Sequence, residues 1–279
     1  MQRIISSTLI KKAEMKKAVF QGILIVTLFF GTWYLLAQIK WVTIFNIQKK
    51  TENTEQKLGE IFWDVFKKTG KENTNKNVKN TIDSIVNHIC ETNGINIAKI
   101  KIHVLEKDDI NAFALPNGHL IVFTGLISQS ANQEELAGVI CHELAHIELN
   151  HVMKKLIQEI GFTVVGSITS GSEGATIIKE ATKLLSSSAY DRKLEKEADI
   201  KAVDLMVEAN INPKPFADFL YKMSDKETIK QFTWISTHPD SKERGNYILS
   251  YCKTKSKQYR QVVTAEGWFK MQQELKKSE

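Results

Sequence analysis

The stretch Cys141-His142-Glu143-Leu144-Ala145-His146-Ile147 constrains this chain more than any other. It contains His-Glu-x-x-His, and its uncharged flanks Val139, Ile140, Leu144, Ala145 and Ile147 suit a buried helix. Four residues of helix turn through about 400°, so His142 and His146 project from one face, one turn apart. Two imidazoles so spaced can hold one Zn²⁺ at about 2.0–2.1 Å each. Glu143 points about 100° away on the same turn, where it reaches an attacking water without ligating the ion. That is the position of a general base in metal-assisted hydrolysis. Asn132, with Glu135 three residues later, marks the helix start. The helix is predicted to run from about Asn132 to about Ile160. His151 then falls about 140° round from His146, off the metal face, as a packing or surface group.

A catalytic zinc needs a third protein ligand and one position left for water. The strongest candidate region is Tyr190-Asp191-Arg192-Lys193-Leu194-Glu195-Lys196-Glu197-Ala198-Asp199. Glu195 and Asp199 are four apart and share a helix face, where like charges repel unless a cation or basic partner lies between them. A solvated acidic-basic helix face is the competing reading.

The N-terminus is organised differently. No residue between Lys17 and Lys40 is charged, and Ala18 to Ile39 would span about 33 Å as a helix, enough for a bilayer core of about 30 Å. Trp33, Tyr34 and Trp41 lie toward one end, where an aromatic belt sits. The chain carries 38 basic and 32 acidic residues; five of the first and one of the second lie in residues 1–39, so the body is near neutral. The basic excess before the apolar run predicts an N-terminus that stays cytoplasmic and a body that crosses. The run is longer than a signal-peptide core and lacks a small-x-small cleavage site, so an uncleaved single-pass anchor is expected. There is no basic stripe with interleaved aromatics, which argues against nucleic acid as a partner.

The expected organisation is a basic tip over 1–17, an anchor over 18–39, a polar, partly helical spacer over 40–77 and a catalytic domain over 78–279. Within the last, Val78 to Glu91 has helical spacing and Asn93-Gly94 stops it. Ile100, Ile102 and Val104 alternate with Lys99, Lys101 and His103, a half-buried strand whose polar face leaves His103 solvated. Two apolar runs around Pro116-Asn117-Gly118 predict a hairpin. Its edge, with Asn111, Ala112 and Phe113, is a candidate rail for an extended peptide. The four glycines and the serines and threonines of 161–174 predict a break in any helix, as a candidate mobile flap or a connector. Three cysteines are too few for a disulfide scaffold; Cys90 and Cys252 either pair or stay as free thiols.

HELAH followed by D-R-x-x-E-x-E-A-D resembles the membrane-linked zinc metallopeptidases of family M48. The segment Asn111–Gly118 with Phe123-Thr124-Gly125-Leu126 is similar to that family's N-A-F-x-x-P-x-G…F-T-G-L segment, and His238-Pro239 to its T-H-P motif. The resemblance covers roughly residues 78–252. It implies an α+β, mostly helical, zincin-like domain with a small hairpin or sheet, holding one Zn²⁺ and hydrolysing peptide bonds. It also implies His142, His146 and Glu195 as ligands, Glu143 as base, and Asp199 as the carboxylate that orients a ligand histidine. His238 would lie near the open metal position, assisting the transition state or occluding the ion. Asp191 stands where the family often has Ser. With one apolar span, the chain looks like the branch whose catalytic core stands outside the membrane. A bacterial inner-membrane protein with its catalytic domain on the periplasmic side follows, acting on misfolded or membrane-associated envelope proteins. The alternative is a zinc-containing, chaperone-like binding protein with an occluded site. The sequence leaves the oligomeric state open.

Overall fold

A computed structural model describes residues 21–23, 26–34, 47–171, 175–224, 233–255 and 257–277. The chain divides into two units, Met1–Thr51 and Glu52–Glu279. In the first, residues 21–23 and 26–34 are helical, and Ile23, Leu28, Phe29, Phe30, Trp33 and Tyr34 are exposed. No described helix is long and apolar enough to cross a membrane. The anchor expected over 18–39 lies partly outside the described residues, at 18–20, 24–25 and 35–39.

The second unit carries the rest of the architecture. In chain order its elements are α1 (Ile47–Phe66, within this unit from Glu52), α2 (Lys76–Thr92), β1 (Lys101–Leu105), β2 (Ala112–Leu115), β3 (His119–Phe123), α3 (Thr124–Gln129), α4 (Gln133–Glu148), α5 (His151–Ile160), α6 (Phe162–Ser170), α7 (Ala175–Ser187), α8 (Arg192–Glu208), α9 (Lys214–Met223), α10 (Trp234–Thr237), α11 (Ser241–Cys252) and α12 (Ala265–Lys277). A small three-stranded sheet in a mostly helical body matches the α+β expectation.

The sheet order is β1-β3-β2, with β1 parallel and β2 antiparallel to β3. The hairpin turns on Asn117 (φ 61°) and Gly118 (φ 70°), the left-handed pair that matches strand twist. A Cβ on Gly118 would lie 2.0 Å from the Lys99 carbonyl oxygen, so the turn requires glycine. Apolar residues cover both faces of the sheet. Leu120, Val122 and Ala112 face the core built from α2, α4, α8, α9 and α12. Ile121, Phe123, Phe113 and Leu115 face a second core with Leu58, Phe62 and Phe66 of α1 and Val152, Leu156, Val165, Ile168 and Leu185 of α5–α7. Leu58 and Phe62 are fully buried, so the apolar piece at 61–66, expected within a spacer, belongs to the folded body; residues 40–46 lie outside the described residues.

Helix α4 is the centre of the first core. Asn132 caps it, accepting from the Glu135 N–H, while the Glu135 carboxylate accepts from the Ala131 N–H. It packs closely on α8 and α9. A Cβ on Gly138 would meet the Phe216 Cβ at 2.4 Å, so glycine here sets the α4–α9 approach.

Three expectations need correction. The helix predicted over Asn132–Ile160 ends at Glu148; Asn150 turns left-handed (φ 55°) and α5 starts afresh at His151. Asn tolerates that conformation because its short polar side chain is not crowded there. The flap or connector expected over 161–174 contains a regular helix, α6. Gly161 (φ 80°) and Gly171 (φ 76°) flank it and Gly166 lies inside it, while Val165 and Ile168 bury one face, so tertiary packing overrides weak propensity. Residues 172–174 of that stretch lie outside the described residues. His103 is not solvated: its ring stacks on Trp63 at 3.6 Å, and its Nε2 lies 3.0 Å from His119 Nδ1. The three cysteines are free thiols.

The His103–His119 pair lets α1 be tested. Burial pushes His119 down to about 4, helped by Lys101, and burial also lowers His103. The folded state therefore keeps both rings neutral, one donating to the other, whereas the unfolded rings titrate near 6.5. A depressed folded pKa gives stability that is present above about 6.5 and lost as pH falls toward about 4. The melting temperature of the wild type should fall more between about pH 7.5 and about pH 5 than that of His119→Asn. Equal falls in a thermal melt series would contradict this.

Candidate metal centre

Helix α4 delivers His142 and His146 from one face, with their Nε2 atoms 3.0 Å apart. Helix α8, capped by the Asp191 carboxylate on the Lys193 N–H, delivers Glu195 opposite them. Its Oε1 lies 3.4 Å from His146 Nε2 and its Oε2 3.6 Å from His142 Nε2. His238 follows the short helix α10, and its Nδ1 lies 2.9 Å from Glu195 Oε1 and 3.2 Å from His142 Nε2. All four side chains are buried, and one donor atom from each lies within 4.8 Å of the others. Donors held at about 2.0–2.2 Å from one tetrahedral ion stand about 3.3–3.6 Å apart. Three imidazole nitrogens and a carboxylate at these separations fit a metal ion of that kind. Glu143, also fully buried, adjoins the cluster with its Oε1 3.3 Å from His238 Nε2, and its Oε2 has no hydrogen-bond partner.

The surrounding charges keep the donors ready. Asp199 Oδ1 lies 2.9 Å from His142 Nδ1, which leaves Nε2 to face the cluster. Burial alone would raise the Asp199 pKa; Arg244 and His142 overturn that and hold it well below the usual carboxylate range. The same contest leaves Glu195 well below that range, held there by His238, Arg244 and His142. Burial lowers His146 and His238, so the rings are neutral, the form a metal takes.

The expected residues His142, Glu143, His146, Glu195, Asp199 and His238 thus converge. Asn111, Ala112 and Phe113 are buried at the start of edge strand β2. The edge begins under cover: the Trp234 N–H donates to the Ile110 carbonyl at 3.3 Å. Asn111 Oδ1 is buried without a partner.

Five further residues surround the cluster: His151, a packing group as expected, and four that escaped the sequence reading. His151, expected off the metal face, is fully buried; its Nδ1 lies 3.1 Å from His146 Nδ1 and its Nε2 3.3 Å from Glu197. The left-handed turn at Asn150 swings it there, which a continuous helix would not. Tyr190 stacks on His146 with ring centroids 4.0 Å apart. Lys155 Nζ lies over the Tyr190 ring, 4.0 Å from its centroid, and donates to the Leu185 and Ser188 carbonyls at the end of α7. Trp234 donates from Nε1 to Glu143 Oε1 at 2.9 Å and stacks on His238 at 4.4 Å. Arg244 forks both oxygens of Asp199, each at 2.8 Å. Tyr190 and Trp234 adjoin quoted motifs, and an aromatic beside a ligand motif was the one available signal. Arg244, inside Ser-Lys-Glu-Arg-Gly, looks like a solvated surface residue.

The sequence signature of peptidase family M48 matches residues 76–251, more than half of the chain. The chain is 30% identical over 187 residues to the mitochondrial metalloendopeptidase OMA1 of Bos taurus, a match covering 60% of this chain and 36% of the relative. It is 30% identical over 162 residues to the metalloprotease LoiP of Escherichia coli (strain K12), covering 56% and 64%. It is 24% identical over 178 residues to the beta-barrel assembly-enhancing protease of Yersinia pestis, covering 56% and 37%. The chain therefore spans between about a third and two thirds of the length of these curated relatives. With the matched region running from α2 to α11 and enclosing every donor of the cluster, the chain belongs to peptidase family M48.

Proposed function

We propose that this chain is a zinc endopeptidase. The observation that carries the reading is the convergence of His142, His146 and Glu195 on one point, with Glu143 beside it and Asp199 behind His142. In this reading His142 Nε2, His146 Nε2 and a Glu195 oxygen hold one Zn²⁺. Bound there, zinc supplies Lewis-acid polarisation of the scissile carbonyl and a water made acidic near neutral pH. Glu143 accepts the proton of the attacking water and returns it to the leaving amine. Asp199 keeps His142 in the tautomer that presents Nε2. Asn111, Ala112 and Phe113 align an extended peptide against the edge of β2.

His238 Nδ1 fills the place of a fourth donor, and Trp234 occupies the base. This favours a closed resting form, in which the α10–His238 segment blocks the metal position, the base and the start of the strand edge together. We take the apolar run over 18–39 as a single-pass anchor, with the N-terminus cytoplasmic and residues 78–279 as the catalytic domain outside the inner membrane of a bacterium. Misfolded or membrane-associated envelope proteins are the proposed substrates, in line with one relative named for enhancing β-barrel assembly.

Digestion of casein by the full chain in detergent tests the reading. Glu143→Gln should keep its zinc yet cleave at least about 100-fold more slowly, the usual range for a lost general base. Chelation should abolish cleavage and added zinc restore it. Cleavage that survives in Glu143→Gln would refute the assigned base. His238→Ala should raise cleavage about tenfold if the closed form is favoured by about 1.4 kcal/mol. An unchanged or lower rate in the same assay would remove the closed-form reading.

A further inference from the structure

The geometry points to Arg244 as the positioning residue of this site: its guanidinium holds Glu195 as a one-oxygen ligand and ties that ligand to the segment carrying His238. The inference rests on the zinc reading above and assigns a role that none of the ligand motifs contains.

Arg244 is buried and meets four partners: Asp199, Glu195, the His238 backbone and, with Nη2 at 3.5 Å, His142 Nδ1. Nε and Nη2 take both oxygens of Asp199 at 2.8 Å. Nη1 lies 2.7 Å from Glu195 Oε2 and donates to the His238 backbone carbonyl at 3.0 Å. The guanidinium also lies 5.0 Å over the ring of Trp234, whose N–H holds Glu143. One rigid planar group therefore touches the third ligand, the carboxylate behind His142, and the backbone of the blocking segment.

Two physical consequences follow. First, Glu195 Oε2 is engaged by Nη1 at 2.7 Å and stands 3.6 Å from His142 Nε2, whereas Oε1 lies closer to the histidine nitrogens, 3.4 Å from His146 Nε2 and 2.9 Å from His238 Nδ1. A carboxylate free to swing would offer either oxygen or both. Second, the bond to the His238 carbonyl forms from the same nitrogen that holds Glu195. Moving the segment away costs that bond and leaves Nη1 with Glu195 alone, so opening the site and ordering its ligand are linked. Only arginine fits this task. A lysine ammonium is a point donor on a flexible stem and cannot fork Asp199 while reaching two further acceptors.

The test is metal binding by the full chain in detergent, with Zn²⁺ affinity read by competition with a chromophoric chelator and Co²⁺ geometry read from its visible absorption. Arg244→Lys, which keeps the charge, should bind Zn²⁺ about 10–100-fold more weakly, the range for losing a group that orients a ligand. Its Co²⁺ band should shift in position or intensity. It should also release zinc to the chelator faster than the wild type does. A purely structural role would lower the melting temperature and leave affinity and spectrum unchanged, and that result would overturn the inference. Tyr247→Phe removes a hydroxyl that also donates to Asp199 but leaves the guanidinium in place. It should change Zn²⁺ affinity less than about threefold, well short of the 10–100-fold range. A loss as large as expected for Arg244→Lys would move the positioning role to the hydroxyl and overturn the assignment to Arg244. A wild type that binds no metal would defeat the zinc reading itself, and this inference with it; a wild type and Arg244→Lys that bind equally would defeat this inference alone.

Discussion

Three carboxylates, Glu143, Glu195 and Asp199, are buried within one site, and the rest of the structure depends on how their charge is balanced. A buried carboxylate without a partner is costly enough that it would take up a proton instead. Asp199 and Glu195 remain ionised because Arg244 stands against both. Among the described residues, Glu143 Oε1 accepts from the Trp234 N–H and lies 3.3 Å from His238 Nε2, while Oε2 has no hydrogen-bond partner. The pocket is thus short of positive charge on the side where the histidine nitrogens converge. The donor set on that side suits a metal cation, and a neutral core of the same shape would have no reason to gather these groups.

The fold serves this arrangement by bringing two helices face to face. Helix α4 supplies two histidines and the base; α8 supplies the acid that faces them and, four residues on, the acid behind them. Packing decides how near they come, and glycine at 138 is part of it: without a Cβ there, α9 settles against α4 and brings the Phe216 ring to 6.2 Å from the His142 ring. The sheet packs into the same core, and its turn is fixed by Asn117 and Gly118. The site therefore sits between packed elements, and the segment around α10 is held to them by the fully buried Trp234 as well as by polar contacts.

Much of this was legible in the sequence because it is local. His142, Glu143 and His146 are set by helical period alone, and the hairpin by its turn residues. Glu195 and Asp199 share a face for the same reason. What escaped depended on partners distant in the chain. Arg244 meets Asp199 across 45 residues, and no periodic rule links them. His103 alternates like a surface residue until Trp63, from another element, covers it. Residues 162–170 carry poor helix formers, and their helix exists because Val165 and Ile168 find a core to bury in. Asn150 is a subtler case: an asparagine inside a helical pattern gave no reason to stop, yet one left-handed residue redirected the next ten.

The contact between the Trp234 N–H and the Ile110 carbonyl has a consequence for rivalry at the strand edge. That bond is backbone to backbone, the same kind an incoming extended chain would make. The resident is tethered, so it competes at an effective concentration on the order of millimolar. A short peptide offering one or two bonds is outcompeted at ordinary concentrations. A long unfolded segment, able to form several bonds along β2 before Trp234 lets go, can displace it stepwise. On the proposed reading of the β2 edge, the tether would act as a length filter, discriminating among peptides by how much extended backbone they bring, with no pocket needed to read their side chains.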